Sequence, residues 1–116
     1  MIILDRTLDS PEGTVTLSVD APVPDGEDWY TAYRITGQRQ RSGNVYGNDA
    51  LQSLMLALDV IRKQLDNEFP GATWEGHDNH GIPLQVPFFI DPTVIQKIAR
   101  MIDNEQAKPE TYKESE

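Results

Sequence analysis

The 116-residue chain contains no cysteine. That absence removes disulfides, thiol nucleophiles and cysteine-ligated zinc together. It also has no apolar run long enough to span a bilayer. The first ten residues, MIILDRTLDS, show neither the basic start nor the long apolar stretch of a secretory leader. A cytoplasmic location without a membrane partner is the expectation. Positive charge is scarce as well: ten Lys and Arg face nineteen Asp and Glu, for a net charge of −9. Such an excess repels nucleic acid and favours basic partners. What remains is 38% apolar and 25% charged, the composition of a globular domain of ordinary size. A single domain over residues 1–106 is expected, followed by a tail, AKPETYKESE, too polar to pack and expected to be disordered.

The charge is uneven. Residues 1–28 carry a net −6, residues 29–46 carry Arg34, Arg39 and Arg41 with no acid, and the rest of the chain sums to −6. Solubility alone accounts for an acidic surface in many proteins, so the pattern needs structural context before it implies a partner.

Strand patterns fill the first half. Residues 2–8 start apolar and read as a short strand, and Ser10-Pro11-Glu12-Gly13 is a turn by composition. Val15, Leu17 and Val19 then alternate with Thr16 and Ser18, as in a half-buried antiparallel strand. Residues 21–28, APVPDGED, hold two prolines and a glycine and read as a long exposed loop. Trp29, Thr31, Tyr33 and Ile35 alternate with Tyr30, Ala32, Arg34 and Thr36 in a third strand. Residues 37–46 return as a weakly patterned fourth, with Gly43 as a bulge or bend.

The second half is helical at two places. Residues 48–65, NDALQSLMLALDVIRKQL, are apolar around most of a helical circumference. At about 100° per residue, Leu51, Leu54, Leu58, Ile61 and Leu65 share one arc with Met55 and Ala57 and should face the sheet. Leu56 and Val60 fall on the polar arc and require cover from the C-terminal helix or a second subunit. Asp49 and Gln52 have the capping-box spacing, and Pro70-Gly71 ends the helix. Residues 72–89 are irregular, with one short strand near 72–75. Asp91 as cap and Pro92 at the first position open a second helix, with Val94, Ile95, Ile98, Met101 and Ile102 on one stripe. Strands grouped before helices predict an α+β fold: a four-stranded antiparallel sheet packed by one long central helix, plus a C-terminal helix.

Several motifs together carry a resemblance. They are Trp29-x-x-x-Tyr33-x-Ile35-x-Gly37, the run Tyr46-Gly47-Asn48-Asp49-Ala50-Leu51-Gln52-Ser53-Leu54, then Thr73-Trp74, Gly76-His77 and Gly81-Ile82-Pro83. In these the middle half of the chain resembles a family of short bacterial proteins catalogued only as a domain of unknown function. The resemblance implies a fold and a bacterial or phage origin, and neither an activity nor a site. That family usually has valine or isoleucine where Asn48 stands. It has a frequent counterpart for His77 but not for His80, so His80 reads as incidental.

Groups able to do chemistry are few. His77, Asp78 and His80, with Glu75 nearby, form the one cluster of metal-capable side chains. Their glycine-flanked loop has neither the i,i+4 helical spacing nor the defined turns of known zinc sites, so no metal and no cofactor is the expectation. None of the serines, at 10, 18, 42, 53 and 115, sits in a nucleophile elbow; Ser53 reads as a tolerated small residue inside the helix. Gly43 and Gly47 precede that helix without the lysine of a phosphate loop. Arg34, Arg39 and Arg41 interleave with Tyr30, Tyr33 and Tyr46, a pattern used by single-strand binders, but three cations in a chain of this charge fit a protein partner better.

Three functional readings follow. The first is a non-enzymatic protein-binding module, such as an immunity or inhibitor protein that blocks a basic toxin or effector. Its contact set would be Asp20, Asp25, Glu27 and Asp28 on the proline-punctuated segment, with Tyr30 and Arg34 just after it. Trp29 reads as core at the start of the strand. The second is a small metal-binding protein or hydrolase using His77, Asp78 and His80. The third is a homodimeric structural or regulatory domain joined through exposed apolar helix surface.

Overall fold

A computed structural model describes residues 1–83 and 91–106. By its internal contacts the chain separates into two units, residues 1–85 and 86–116. The first unit holds β1 (Ile2–Ser10), β2 (Gly13–Asp20), β3 (Val23–Asp25), β4 (Asp28–Thr36), β5 (Gln40–Gly47) and α1 (Ala50–Glu68). The second holds α2 (Pro92–Gln106). The tail expected from residue 107 onward, and residues 84–89 of the irregular stretch, lie outside the described residues.

The fold is α+β, with an antiparallel sheet of five strands rather than the expected four. The additional strand is β3, inside the segment read as a loop. Val23, Pro24 and Asp25 pair with Tyr30, Trp29 and Asp28. A two-residue connection, Gly26-Glu27, closes this hairpin, with Gly26 at φ +65° in the first central position, as a type II′ turn takes. Proline is compatible here because Pro24 falls at the position of the pair that makes no ladder hydrogen bond. β2 and β3 share one edge of β4: β2 pairs with its Tyr33–Thr36 end and β3 with its Asp28–Tyr30 end. β5 runs along the other edge. The sheet is therefore a meander whose second row is broken at residues 21 and 22.

Alternation assigns the core. Leu8 on β1, Val15, Leu17 and Val19 on β2, and Tyr33 and Ile35 on β4 point to one face, where Ile61, Leu65 and Phe69 complete a buried cluster. Two glycines of β5 shape this face. Gly43 lies under the Tyr33 ring, and a Cβ at Gly47 would stand 2.5 Å from the Ser53 backbone nitrogen. The first turn of α1 thus abuts the backbone of β5.

That close approach corrects the facing of α1. Its buried residues are Ser53, Ala57, Ile61 and Leu65. Leu54 and Leu58 are half-buried, and Leu51, expected on the sheet, is 65% exposed. Relative to the apolar arc the helix is turned by roughly 60° at its ordinary 100° per residue. Small side chains, not the most apolar ones, occupy the closest approach. Ser53 is fully buried, and its hydroxyl lies 2.8 Å from that of buried Thr31. The same rotation brings Val60 onto the unit's own core, while Leu56 stays 42% exposed.

Both ends of α1 are capped. Asp49 Oδ1 accepts the Gln52 N–H at 2.7 Å, as in a capping box, and Gln52 Oε1 accepts the Asn48 N–H at 2.6 Å, so the return bond reaches the residue before the cap. At the far end Arg39 Nη1 donates to the Glu68 carbonyl at 2.7 Å and Arg41 pairs with the Glu68 carboxylate. Two of the three arginines of the basic stretch are thereby spent on the negative end of a helix. In the second unit, the Asp91 carboxylate accepts the Thr93 N–H at 2.7 Å and caps α2, with Pro92 as its first residue. No helix of the described residues is long and apolar enough to cross a membrane.

Candidate protein-binding face

The face of the sheet opposite the core is open. Thr16, Arg34, Thr36 and Ser42 lie across its middle and are all exposed. Its composition changes along the strands. Around Thr16 and Thr36 it is hydroxylated, with Arg34 beside them and Asp5 and Asp9 on the β1 side. Toward the β3–β4 hairpin it becomes apolar and acidic at once. Ile2 (53% exposed), Val23 (40%) and Tyr46 (51%) share that end with half-buried Tyr30 and Ala32. Register puts Val23 and Tyr46 on either side of Tyr30, and Ile2 beside Asp20.

Acids rim this stripe. Asp25 and Asp28 are direct partners across the hairpin, with Glu27 in the turn between them, and all three are exposed. Asp20 closes the β2 side. Like charges placed opposite each other on a sheet repel. Among the described residues no Lys, Arg or His makes an ion pair with any of these four acids. Arg34 shares the face, but its Nη1 reaches Ser18 Oγ at 3.5 Å. Tyr46 is fixed at the corner: its ring lies 5.5 Å from that of Tyr30 at a 42° tilt, and its hydroxyl donates to Asp25 Oδ2 at 3.1 Å. That hydrogen bond, with some burial and the negative charge of Asp25, raises the Tyr46 phenol above the ordinary value of 10.0.

Of the residues marked from the sequence, Asp20, Asp25, Asp28, Tyr30 and Arg34 therefore share one face, with Glu27 at its edge. Trp29 points the other way, half-buried opposite Gly47. Ile2 and Val23 escaped sequence reasoning, and Tyr46, read with the arginines as an aromatic patch, was not joined to the acids. Alternation within one strand cannot tell which residues of different strands become neighbours, and only register does.

The 77–80 loop is arranged differently from its sequence reading. His77 is exposed and stacks on Trp74 at 5.5 Å, and the Arg6 guanidinium lies 3.9 Å over the Trp74 ring. His80, which reads as incidental, is the buried member. Its Nδ1 accepts the Ile82 N–H at 3.0 Å and its Nε2 lies 2.8 Å from Asp66 Oδ1. Its carbonyl accepts from Arg6 Nη1 at 3.2 Å. Both ring nitrogens are thus committed, Nε2 to holding the loop against α1 and Nδ1 to shaping the loop itself. Asp78 lines a shallow cavity of about 240 Å³ with His80 and Phe69. Among the described residues no three His, Asp or Glu side chains converge as metal ligands.

A family model described as a domain of unknown function, DUF6968, matches residues 4–84. The chain belongs to this family. The match spans the sheet from β1 onward, α1 and the histidine loop, and so takes in nearly all of the open face. No curated protein and no solved structure gives a significant match.

Proposed function

We propose that this domain is a non-enzymatic binding module that docks a basic protein through the open face of its sheet, in the manner of an immunity or inhibitor protein that blocks a basic toxin or effector. One observation carries the reading: an exposed apolar and aromatic stripe bordered by four acids that pair with no cation among the described residues. Apolar anchors inside a polar rim are how protein interfaces are built, with Tyr prominent among the anchors. Uncompensated acid around them speeds encounter with a positive surface and disfavours a second copy of the same chain. The metal or hydrolase reading draws less support, since both nitrogens of His80 serve the fold and His77 lies flat on Trp74.

The test is a pull-down from the native host with mass spectrometry, repeated with an Asp25→Lys/Glu27→Lys/Asp28→Lys variant. A basic partner should be recovered by the native chain. The variant should associate with it more slowly, and the difference should shrink as salt rises. Equal association rates at low salt would remove the face from the mechanism and leave the acidity as a solubility trait.

A further inference from the structure

The acid-rimmed stripe ends beside a depression of about 340 Å³ lined by Asp28, Tyr46, Gly47, Asn48 and Gln52. Resting on the binding face described above, we propose that this depression is a socket for an arginine side chain of the partner. Gly47 lines it without a side chain, and a Cβ there would stand against the Ser53 nitrogen, so the strand and the first turn of α1 meet tightly at this point. One wall is the Tyr46 ring, half-exposed and held in place by Tyr30 and by the bond from its hydroxyl to Asp25. Asp28 is among the lining residues, and Asp25 is its partner across the hairpin.

The field in the socket is negative. The N-terminal end of α1 is nearby, and a bare helix start would favour an anion. Here Asp49 occupies it, accepting the Gln52 N–H, while Gln52 itself is turned back onto the Asn48 N–H. Arginine fits such a site better than lysine for three physical reasons. Its guanidinium is planar and stacks on an aromatic ring, it is weakly hydrated, and its fork meets a carboxylate through two bonds at once.

The experiment is an amide NMR titration of the full chain with three small probes: N-acetyl-arginine methylamide, the lysine analogue, and the citrulline analogue, which keeps the shape of arginine without its charge. The arginine probe should shift Asp28, Tyr46, Gly47 and Gln52 along saturable curves. Lysine should bind more weakly and citrulline should leave the spectrum unchanged. Asp28→Asn, with an otherwise native spectrum, should weaken arginine binding about tenfold, as for the loss of a charged hydrogen bond. Three results would overturn the socket: no shifts at all, shifts scattered equally over the remote acids Asp5, Asp59 and Glu75, or full binding by Asp28→Asn. A partner from the pull-down separates this inference from the one beneath it. Loss of association in the triple lysine variant but not in Asp28→Asn or Tyr46→Leu would keep the face and discard the socket. No loss in any variant would discard both.

Discussion

The two faces of this sheet are made from alternate residues of the same strands, yet they meet opposite surroundings. On β4 the odd residues Thr31, Tyr33 and Ile35 are buried, while the even residues Arg34 and Thr36 are exposed. The inner face is closed by a helix drawn close over glycines. The outer face keeps apolar side chains in water at one end, with acids around them. Burying apolar surface stabilises a fold, so leaving Ile2, Val23 and Tyr46 exposed forgoes stability that a purely structural sheet would take. The two faces should therefore separate in mutational experiments: inner changes act on folding and outer changes on association.

The largest effect expected on this division is at the core. Ile61→Ala should cost about 2–5 kcal/mol in urea unfolding, the range for large-to-small core changes. Leu51→Ala, on the same helix, should stay within about 0.5 kcal/mol, as surface changes do. The reverse order would mean that the wrong side of α1 faces the sheet. The lysine variant of the β3–β4 hairpin should unfold at nearly the native urea concentration even where it loses its partner.

A smaller effect is expected where the inner face turns polar. Ser53→Ala leaves the Thr31 hydroxyl buried without its partner at 2.8 Å, which should cost about 1–3 kcal/mol. Thr31→Val combined with Ser53→Ala should cost less than the two single changes added together, because no orphaned hydroxyl remains. Strict additivity in thermal or urea melts would show that the two hydroxyls do not act as a pair.

The smallest effect sharpens the outer face. The raised phenol of Tyr46 means that the fold favours its neutral form. That contribution is complete below the ordinary tyrosine range and is lost as pH climbs through the raised value. Ultraviolet difference titration should show a late-ionising component from Tyr46, and Asp25→Asn should move that component to lower pH. A native titration already free of a late component would show that the corner hydrogen bond is not kept in solution.

Much of this architecture is legible in the sequence. The Val15, Leu17, Val19 alternation, the Asp49/Gln52 box and the Asp91-Pro92 helix start each rest on local chemistry, and each stands where its pattern put it. Asp28, Tyr30 and Arg34 share a face simply because they are even residues of one strand. Three things were not legible. β3 was hidden because proline and glycine mark a loop by composition, while a three-residue edge hairpin tolerates both. The facing of α1 was hidden because apolarity ranks leucine above serine, whereas close packing on Gly47 selects for size. The corner at Tyr46 was hidden because it depends on register between strands, which joins Tyr46 to Tyr30 and to Asp25, 21 residues away.

The order of the sheet has a further consequence, for how the chain finds its structure. Every strand pairs with one that is near it in sequence, and β4 alone touches three others. Ordering the sheet therefore needs only short loops to close, each at modest entropic cost, with β4 as the template on which its neighbours assemble. The long closure is of another kind: two backbone bonds join Asp9 to Thr73 and tie the first strand to the loop that carries His80. Those bonds cannot form until the meander and α1 have brought their ends together. The histidine loop is thus the clasp of the fold, fastening its first strand to the chain that follows α1.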